Sequence, residues 1–188
     1  ERGLEIARGL LAGGVKAMEV SYTLPNAGEV IAAIKEEFGG EMIVGAGTVM
    51  DPATARMAIM AGAQFIVANC YSEGVSEICN LYQIPYAPGC TTMTEANHAL
   101  ATGAAFVKCF PISNVYGPSL VGLFKTPTPW MPLMASGGIN LDNLQEWIEK
   151  GIDCAGMGGL LTKGSEEEIA ANAAAVRKII DETRAAAE

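Results

Sequence analysis

Residues 41–49 read EMIVGAGTV and residues 104–111 read AAFVKCFP, and both are short apolar runs that stop at Gly, Thr or Pro. Runs of the same kind recur along the chain, separated by Ala-rich amphipathic stretches: VKAMEVSY (15–22), QFIVANC (64–70), IPYAPG (84–89), MPLMASGG (131–138) and DCAGMGG (153–159). Such runs are typical of strands buried on both faces. Their alternation with helical segments predicts an α/β fold with a parallel sheet.

The spacing of these runs favours a closed barrel over an open sheet. The carboxyl ends of the seven predicted strands fall at Glu19, Gly47, Asn69, Pro88, Lys108, Ser136 and Gly158, at intervals of 28, 22, 19, 20, 28 and 22 residues. This regularity predicts a single (β/α)8 (TIM) barrel over residues 1–188. Eight helices are predicted and the chain opens inside one, LEIARGLLAGG (4–14). We therefore expect an N-terminal truncation, with the first strand lying in about twenty residues upstream.

The composition excludes several classes of function. A net charge of −9 repels a phosphate backbone, so no nucleic-acid partner is expected. No apolar run is long enough for a membrane span, and no signal peptide is recognisable. Five cysteines without a CxxC pair predict reduced thiols and a cytoplasmic location. The one histidine, His98, is predicted to lie on a helix surface, so no metal site and no cofactor are expected.

Three helix starts carry capping signals. Asp51 precedes Pro52, and Ser165 with Glu168 forms a capping-box pattern. Asn140 is predicted to cap a helix whose core stripe is Leu141, Leu144 and Ile148. The last helix is predicted to bury one face, formed by Ile169, Ala173, Val176 and Ile180.

Lys108 lies in the middle of the apolar run AAFVKCFP, where both faces of a strand are expected to be buried. Burial lowers the pKa of a lysine, and the neutral amine is a nucleophile toward ketones. The pattern therefore indicates a Schiff-base lysine. A lysine that extends its amine to solvent, or that pairs with a core acid, is the alternative.

Glu19 occupies a similar position in VKAMEVSY. If one strand is missing, Glu19 lies on strand two and Lys108 on strand six, and interior layers of such barrels take side chains from alternate strands. A carboxylate and an amine in one layer suit proton transfer. A purely structural ion pair is the alternative.

Three glycine-rich strand ends suggest places where backbone approaches a ligand. The first is Gly45-Ala46-Gly47-Thr48, which also offers a hydroxyl. Ser136, Gly137 and Gly138 end the next-to-last strand, and Gly158 and Gly159 end the last one. These positions in (β/α) barrels commonly bind phosphate through backbone amides. Tight turns alone also explain such glycines.

Together the segments resemble the bacterial 2-keto-3-deoxy-6-phosphogluconate (KDPG) and 4-hydroxy-2-oxoglutarate (KHG) aldolase family. The resemblance is carried by AGGVKAMEV (12–20), IVGAGTV (43–49), GAQFIV (62–67), VKCFP (107–111) and SGGINLDN (136–143). It implies a homotrimer of (β/α)8 barrels. It also implies a class I aldolase that cleaves a 2-keto-4-hydroxy acid to pyruvate and an aldehyde, either glyceraldehyde 3-phosphate or glyoxylate.

The resemblance also implies residue roles. Lys108 matches the Schiff-base lysine and Glu19 the acid–base residue. The substrate-binding positions are Thr48, Phe110, which walls the pyruvate methyl, Thr23 and Asn69. The phosphate-binding turns are Ser136, Gly137, Gly138, Gly158 and Gly159.

Three positions depart from the family pattern: Thr23 replaces an Arg of many members, Asn69 a Pro, and Gly159 a Ser. Gly159 lacks the serine hydroxyl that could bind a substrate phosphate. An unphosphorylated substrate is therefore an open alternative to a phosphorylated one. A phosphate-binding barrel isomerase or epimerase is an alternative function, and a catalytically inactive trimeric scaffold is another.

Overall fold

A computed structural model of the chain describes residues 1–186. Helices alternate with parallel strands over this range, which confirms the predicted α/β class. The chain forms two compact units, the central unit Lys16–Lys108 and the terminal unit, made of Glu1–Val15 and the residues from Cys109 onward. No helix within residues 1–186 has both the length and the apolar character required to cross a membrane. Barrel closure, an upstream strand and a single domain stay predictions.

The central unit contains a parallel sheet flanked by helices. Its strands are β1 (Ala17–Ser21), β2 (Ile43–Gly47), β3 (Ile66–Val67), β4 (Tyr86–Ala87), β5 (Gly89–Cys90) and β6 (Val107–Cys109), the last reaching one residue into the terminal unit. Its helices are α2 (Ala27–Phe38), α3 (Pro52–Met60), α4 (Glu73–Tyr82) and α5 (Met93–Ala101). Strands β1 to β4 are hydrogen-bonded in sequence order. In the register of β1 and β2, Glu19 is the partner of Gly45 and Ser21 of Gly47.

The terminal unit pairs two parallel strands and packs its two longest helices together. Its elements are α1 (Arg2–Ala12), α6 (Ser113–Tyr116), α7 (Ser119–Lys125), β7 (Leu133–Ser136), α8 (Leu144–Glu149), β8 (Cys154–Gly156), α9 (Gly159–Thr162) and α10 (Glu166–Ala185). Helix α1 lies so close to α10 that a Cβ at Gly13 would overlap the Ala170 carbonyl and the Ala173 side chain. The close contact of these two helices therefore depends on a residue without a side chain.

The two tryptophans of the chain lie in very different surroundings. Trp147 on α8 is 1% exposed, and its indole N–H has no hydrogen-bond partner within residues 1–186. Trp130 precedes β7 and is 74% exposed. Both belong to the terminal unit. One unit thus holds a tryptophan in its core and another on its surface.

Two of the predicted caps are confirmed. The Asp51 carboxylate accepts a hydrogen bond from the Thr54 backbone N–H, with Pro52 as the first residue of α3. Ser165 and Glu168 form the predicted capping box at the start of α10. On α10 the predicted face is buried at Ile169, Ala173 and Val176, while Ile180 is only half-buried.

The helix start predicted at Asn140 is confirmed in part. The Asn140 side-chain oxygen accepts hydrogen bonds from the backbone N–H groups of Asp142 and Asn143, and its carbonyl accepts one from the Leu144 N–H, which is the bonding pattern of a helix cap. The three residues after Asn140 form turns, however, and α8 itself begins at Leu144. Leu141 therefore precedes α8 rather than starting its core stripe.

The run IPYAPG also differs from its prediction as one strand. It forms two short strands, β4 and β5, on either side of Pro88. Proline has no N–H to donate to a ladder, which explains the interruption. The Pro88 carbonyl still accepts a hydrogen bond from the Lys108 backbone N–H at 3.0 Å, so β6 is hydrogen-bonded to the chain between β4 and β5.

Candidate active site

Among residues 1–186, Lys108 is the one charged residue that is buried. It is 4% exposed in β6, and its neighbours Val107 and Cys109 are fully buried. Burial among apolar groups lowers the pKa of the Lys108 amine, and the negative charge of Glu19 partly opposes this shift. The amine is therefore easier to deprotonate than a surface lysine, which is the property required of a nucleophile.

Glu19 projects from β1 directly over the backbone of β2. A Cβ at Gly47 would overlap its carboxylate, so the close approach requires glycine there. The pKa of Glu19 is raised because protein atoms surround the carboxyl group, and the positive charge of Lys108 partly opposes this rise. The side chain nevertheless remains accessible to solvent. Glu19 thus combines a raised pKa with an open approach for a ligand.

The pKa shifts of Lys108 and Glu19 each include the charge of the other residue. The structure therefore brings together the amine and the carboxylate that the sequence placed on separate strands. A base with a lowered pKa beside an acid with a raised pKa is an arrangement that supports proton transfer.

Asn69 contacts the same amine. It follows β3, and its side-chain oxygen accepts a hydrogen bond from Lys108 Nζ at 3.2 Å. The sequence indicated Asn69 only as a substrate-binding position, because nothing in the run QFIVANC predicts a contact with a residue 39 positions later. The direct contact with the Lys108 amine is a finding of the structure.

Three hydroxyl groups meet where β1 and β2 end. Ser21 Oγ donates a hydrogen bond to Thr48 Oγ1 at 3.2 Å and lies 2.9 Å from Thr23 Oγ1. Thr48 has a left-handed backbone conformation with φ of 57°, which β-branched residues rarely adopt. Thr23 and Thr48 were predicted from the sequence as substrate-binding positions, whereas Ser21 was not predicted. Its position two residues after Glu19, on the same strand face, is a signal that was available.

The terminal unit holds the predicted phosphate turns. Gly137 and Gly138 both have positive φ, 92° and 74°, and the Asn114 side chain packs against them. The Ser113 hydroxyl donates a hydrogen bond to the Ser136 carbonyl at 2.6 Å. Sequence reasoning missed Ser113 and Asn114, since no local pattern around ISNVYG indicates a contact with the later turn.

The glycines after β8 differ from those after β7. Gly158 has a negative φ, and Gly159 is the first residue of α9. A Cβ at either position would meet no atom within 4 Å. Neither crowding nor backbone conformation therefore explains these two glycines. Ser136 on β7 is the register partner of Gly156 on β8, so the two glycine turns follow neighbouring strands.

The remaining positions considered from the sequence are Phe110 and His98. Phe110 follows β6 in the terminal unit and is half-buried. His98 lies on the exposed side of α5, as predicted, with its ring 4.7 Å from the Tyr71 ring. Over the described residues, no three His, Cys, Asp or Glu side chains group into a candidate metal site.

Comparison with known proteins identifies a family. The model of the KDPG and KHG aldolase family matches residues 1–178. A 2-dehydro-3-deoxy-phosphogluconate aldolase of Treponema pallidum (strain Nichols) is 35% identical over 148 residues, covering 79% of this chain and 70% of that protein. The 2-dehydro-3-deoxy-6-phosphogalactonate aldolase of Escherichia coli (strain K12) is 35% identical over 169 residues, with coverages of 88% and 82%.

A solved structure supports the same relationship. A native KDPGal structure superposes with a TM-score of 0.91 at 32% identity, covering 97% of this chain and 90% of that one. The sequence match and the structural match thus agree over nearly all of the chain. The protein belongs to the KDPG and KHG aldolase family, and it is accordingly an aldolase, a lyase of 2-keto-3-deoxy sugar acids.

Proposed function

We propose that the protein is a class I aldolase in which Lys108 forms a Schiff base with the ketone of a 2-keto-4-hydroxy acid. The observation that carries this proposal is the buried amine of Lys108, whose pKa is lowered by burial and whose neighbour is the Glu19 carboxyl group. Burial raises the fraction of neutral amine at neutral pH, and only the neutral amine attacks a carbonyl carbon.

Glu19 supplies and removes the protons in this mechanism. The Lys108 amine adds to C2 of the substrate, and a proton from Glu19 allows the resulting hydroxyl to leave as water. The protonated imine then accepts the electron pair of the C3–C4 bond as this bond breaks, and the proton of the C4 hydroxyl is removed. The products are an aldehyde and an enamine, which is protonated at C3 and hydrolysed to pyruvate.

The proposed substrates are 2-keto-3-deoxy-6-phosphogluconate and 4-hydroxy-2-oxoglutarate, which release glyceraldehyde 3-phosphate and glyoxylate respectively together with pyruvate. Thr48 and Thr23 are proposed to contact the keto acid, and their meeting with Ser21 beside β1 supports this. Phe110 is proposed to wall the pyruvate methyl. These assignments rest on the family resemblance and on the positions of the residues.

Ser136, Gly137, Gly138, Gly158 and Gly159 are the proposed phosphate-binding turns. The absence of neighbouring atoms around a Cβ at Gly158 or Gly159 supports this proposal, because it leaves room for a ligand beside the backbone. Backbone N–H groups alone would bind the phosphate here, since Gly159 offers no hydroxyl. We expect weaker discrimination between phosphorylated and unphosphorylated substrates than a serine at this position would provide.

Borohydride trapping tests the central proposal. Incubation with pyruvate and borohydride should add a reduced pyruvyl group to Lys108, located by peptide mass mapping. Lys108→Met should abolish both trapping and turnover, whereas Lys16→Met, which removes an exposed lysine of the same unit, should leave both unchanged. A label on another residue, or none in the intact protein, would refute the Schiff-base role of Lys108.

The same measurements separate the two alternative functions. A phosphate-binding isomerase or epimerase needs no imine, so it would show no trapping and would interconvert sugar phosphates. An inactive scaffold would show neither trapping nor turnover. Pyruvate release from the phosphorylated and unphosphorylated acids, compared at equal concentrations, then identifies the preferred substrate.

We further propose that the chain adopts the single (β/α)8 barrel of the family and assembles as a homotrimer. Sedimentation equilibrium tests the second part. The expected mass is three times that of the monomer, and a monomeric mass at micromolar concentration would contradict the proposed assembly.

A further inference from the structure

We propose that Asn69 is a third catalytic residue of this aldolase, whose side-chain oxygen accepts a hydrogen bond from Lys108 Nζ at every stage and stabilises the protonated imine. The inference rests on the proposed function, because it assumes that Lys108 forms the imine. Its starting observation is the 3.2 Å hydrogen bond from Lys108 Nζ to Asn69 Oδ1.

The backbone at Asn69 and just after it is held by two neighbours, Gly89 and Tyr86. A Cβ at Gly89 would overlap the Asn69 carbonyl group, so strand β5 packs directly against this peptide. The buried Tyr86 hydroxyl accepts a hydrogen bond from the Ser72 N–H at 3.3 Å and donates one to the Cys70 carbonyl at 3.4 Å. The segment that carries the Asn69 side chain is therefore held at Asn69 itself and at the residues that directly follow it.

The chemistry of the nitrogen explains why an acceptor is useful there. The neutral amine has two N–H bonds and one electron pair. Attack uses the pair to form the N–C2 bond, one proton moves from nitrogen to the substrate oxygen, and the carbinolamine keeps one N–H. When a second proton reaches the hydroxyl, the C2–O pair leaves with it as water and the nitrogen pair forms the C=N bond. The protonated imine therefore still carries one N–H.

Asn69 can accept this remaining N–H without moving away from its position. An acceptor beside the cationic imine stabilises its positive charge and keeps the nitrogen protonated, and only the protonated form is a strong electron sink for C3–C4 cleavage. A neutral amide has a second advantage over a carboxylate. It accepts the hydrogen bond without adding a full negative charge, which would raise the pKa of Lys108 and reduce the neutral amine needed for attack.

Two variants of similar shape separate these effects. Asn69→Leu removes the acceptor, and Asn69→Asp keeps an acceptor but adds a charge. Asn97→Leu and Asn97→Asp make the same changes at an exposed position of α5 and serve as matched controls. The measurement is the rate of borohydride trapping with pyruvate from pH 6 to 9, together with kcat, while circular dichroism and Tm verify that each variant is folded.

We expect trapping and kcat of Asn69→Leu to fall by about ten- to a hundredfold, the range for losing a hydrogen bond to a charged group. Asn69→Asp should trap slowly at pH 6 to 7 and recover to within a few-fold of the parent protein at pH 9, because the added carboxylate moves the acid limb of the profile to higher pH. The Asn97 variants should match the parent protein.

The proposed role of Asn69 would be wrong if Asn69→Leu were trapped at the rate of the parent protein. It would also be wrong if the acid limb of the Asn69→Asp pH profile were not shifted. If Asn69→Leu does not fold, the pH profile of the near-isosteric Asn69→Asp decides alone. Failure of the proposed function looks different, because the parent protein itself would then give no label on Lys108.

Discussion

At the scale of single residues, the charge of Glu19 reduces the fraction of the Lys108 amine that burial makes neutral. This carboxylate raises the pKa of Lys108 against the larger effect of burial. Glu19→Gln removes the charge, so the pKa of Lys108 should fall further and the acid limb of imine formation should move to lower pH. The turnover number kcat should nevertheless fall by a factor of about 10²–10⁴, which is the usual contribution of a general acid–base group.

Rates of trapping and of pyruvate release, each measured against pH, check the Glu19 prediction. Glu29→Gln, on an exposed position of α2, provides the control and should leave both profiles unchanged. An acid limb that moves to higher pH in Glu19→Gln would contradict the sign derived from the charge.

Gly47 has a role at the same scale because its missing side chain leaves room for the Glu19 carboxylate. In Gly47→Ala the new methyl group overlaps this carboxylate, so the carboxylate must move and turnover should approach that of Glu19→Gln. Gly40→Ala is the matched control, since a Cβ there meets nothing within 4 Å. Steady-state kinetics would test this, and near-normal kcat in Gly47→Ala would show that the position of the carboxylate is not critical.

At the scale of elements, glycines of the terminal unit should respond to alanine with opposite signs. Gly13→Ala forces a methyl group into the α1–α10 contact and should lower the free energy of unfolding by about 1–3 kcal/mol. Gly122→Ala, on the exposed side of α7, meets no neighbour and should raise it by about 0.5–1 kcal/mol through helix propensity.

Urea denaturation of the two variants and the parent protein measures this pair. If Gly13→Ala and Gly122→Ala both raised or both lowered the free energy of unfolding, the proposed distinction between a helix contact and an exposed helix surface would be contradicted.

Local chemistry made much of the element structure predictable. The Asp51 cap and the Ser165 capping box involve residues within three positions of each other, so the sequence pattern contains the whole interaction. The interruption at Pro88 and the start of α8 at Leu144 depend on which backbone groups find hydrogen-bond partners in the folded chain. Patterns of hydrophobicity do not contain that information.

The candidate site was predictable in part for the same reason. A charged residue within an apolar run, such as Lys108 or Glu19, is visible in the sequence as a buried charge that needs an explanation. The contact between Asn69 and Lys108 joins residues on different strands, and the crowding of Gly47 against Glu19 depends on strand register. These relations arise only when the strands are placed side by side.

At the scale of the whole molecule, the buried amine of Lys108 should reduce stability in a pH-dependent way. Its pKa is lowered in the folded state from an ordinary value of 10.5. Between the lowered value and 10.5 the unfolded chain binds more protons, so the stability of the parent protein rises with pH in this window. Below the window the full cost of burying the charge is present.

Lys108→Met removes this titrating group and should therefore raise the free energy of unfolding at pH 6, with a gain that shrinks as the pH approaches 10. Urea denaturation at several pH values measures the gain. A gain that grows with pH would contradict a lowered pKa for Lys108.

The placement of the two tryptophans determines what fluorescence reports about this molecule. Both Trp130 and Trp147 belong to the terminal unit, one exposed and the other enclosed. Acrylamide should quench the red-shifted emission of Trp130 and spare the blue-shifted emission of Trp147 until the terminal unit unfolds. The central unit, where Lys108 and Glu19 lie, contains neither tryptophan. An indole introduced into that unit, or the intrinsic signal of its tyrosines, would therefore be a local probe of ligand binding there.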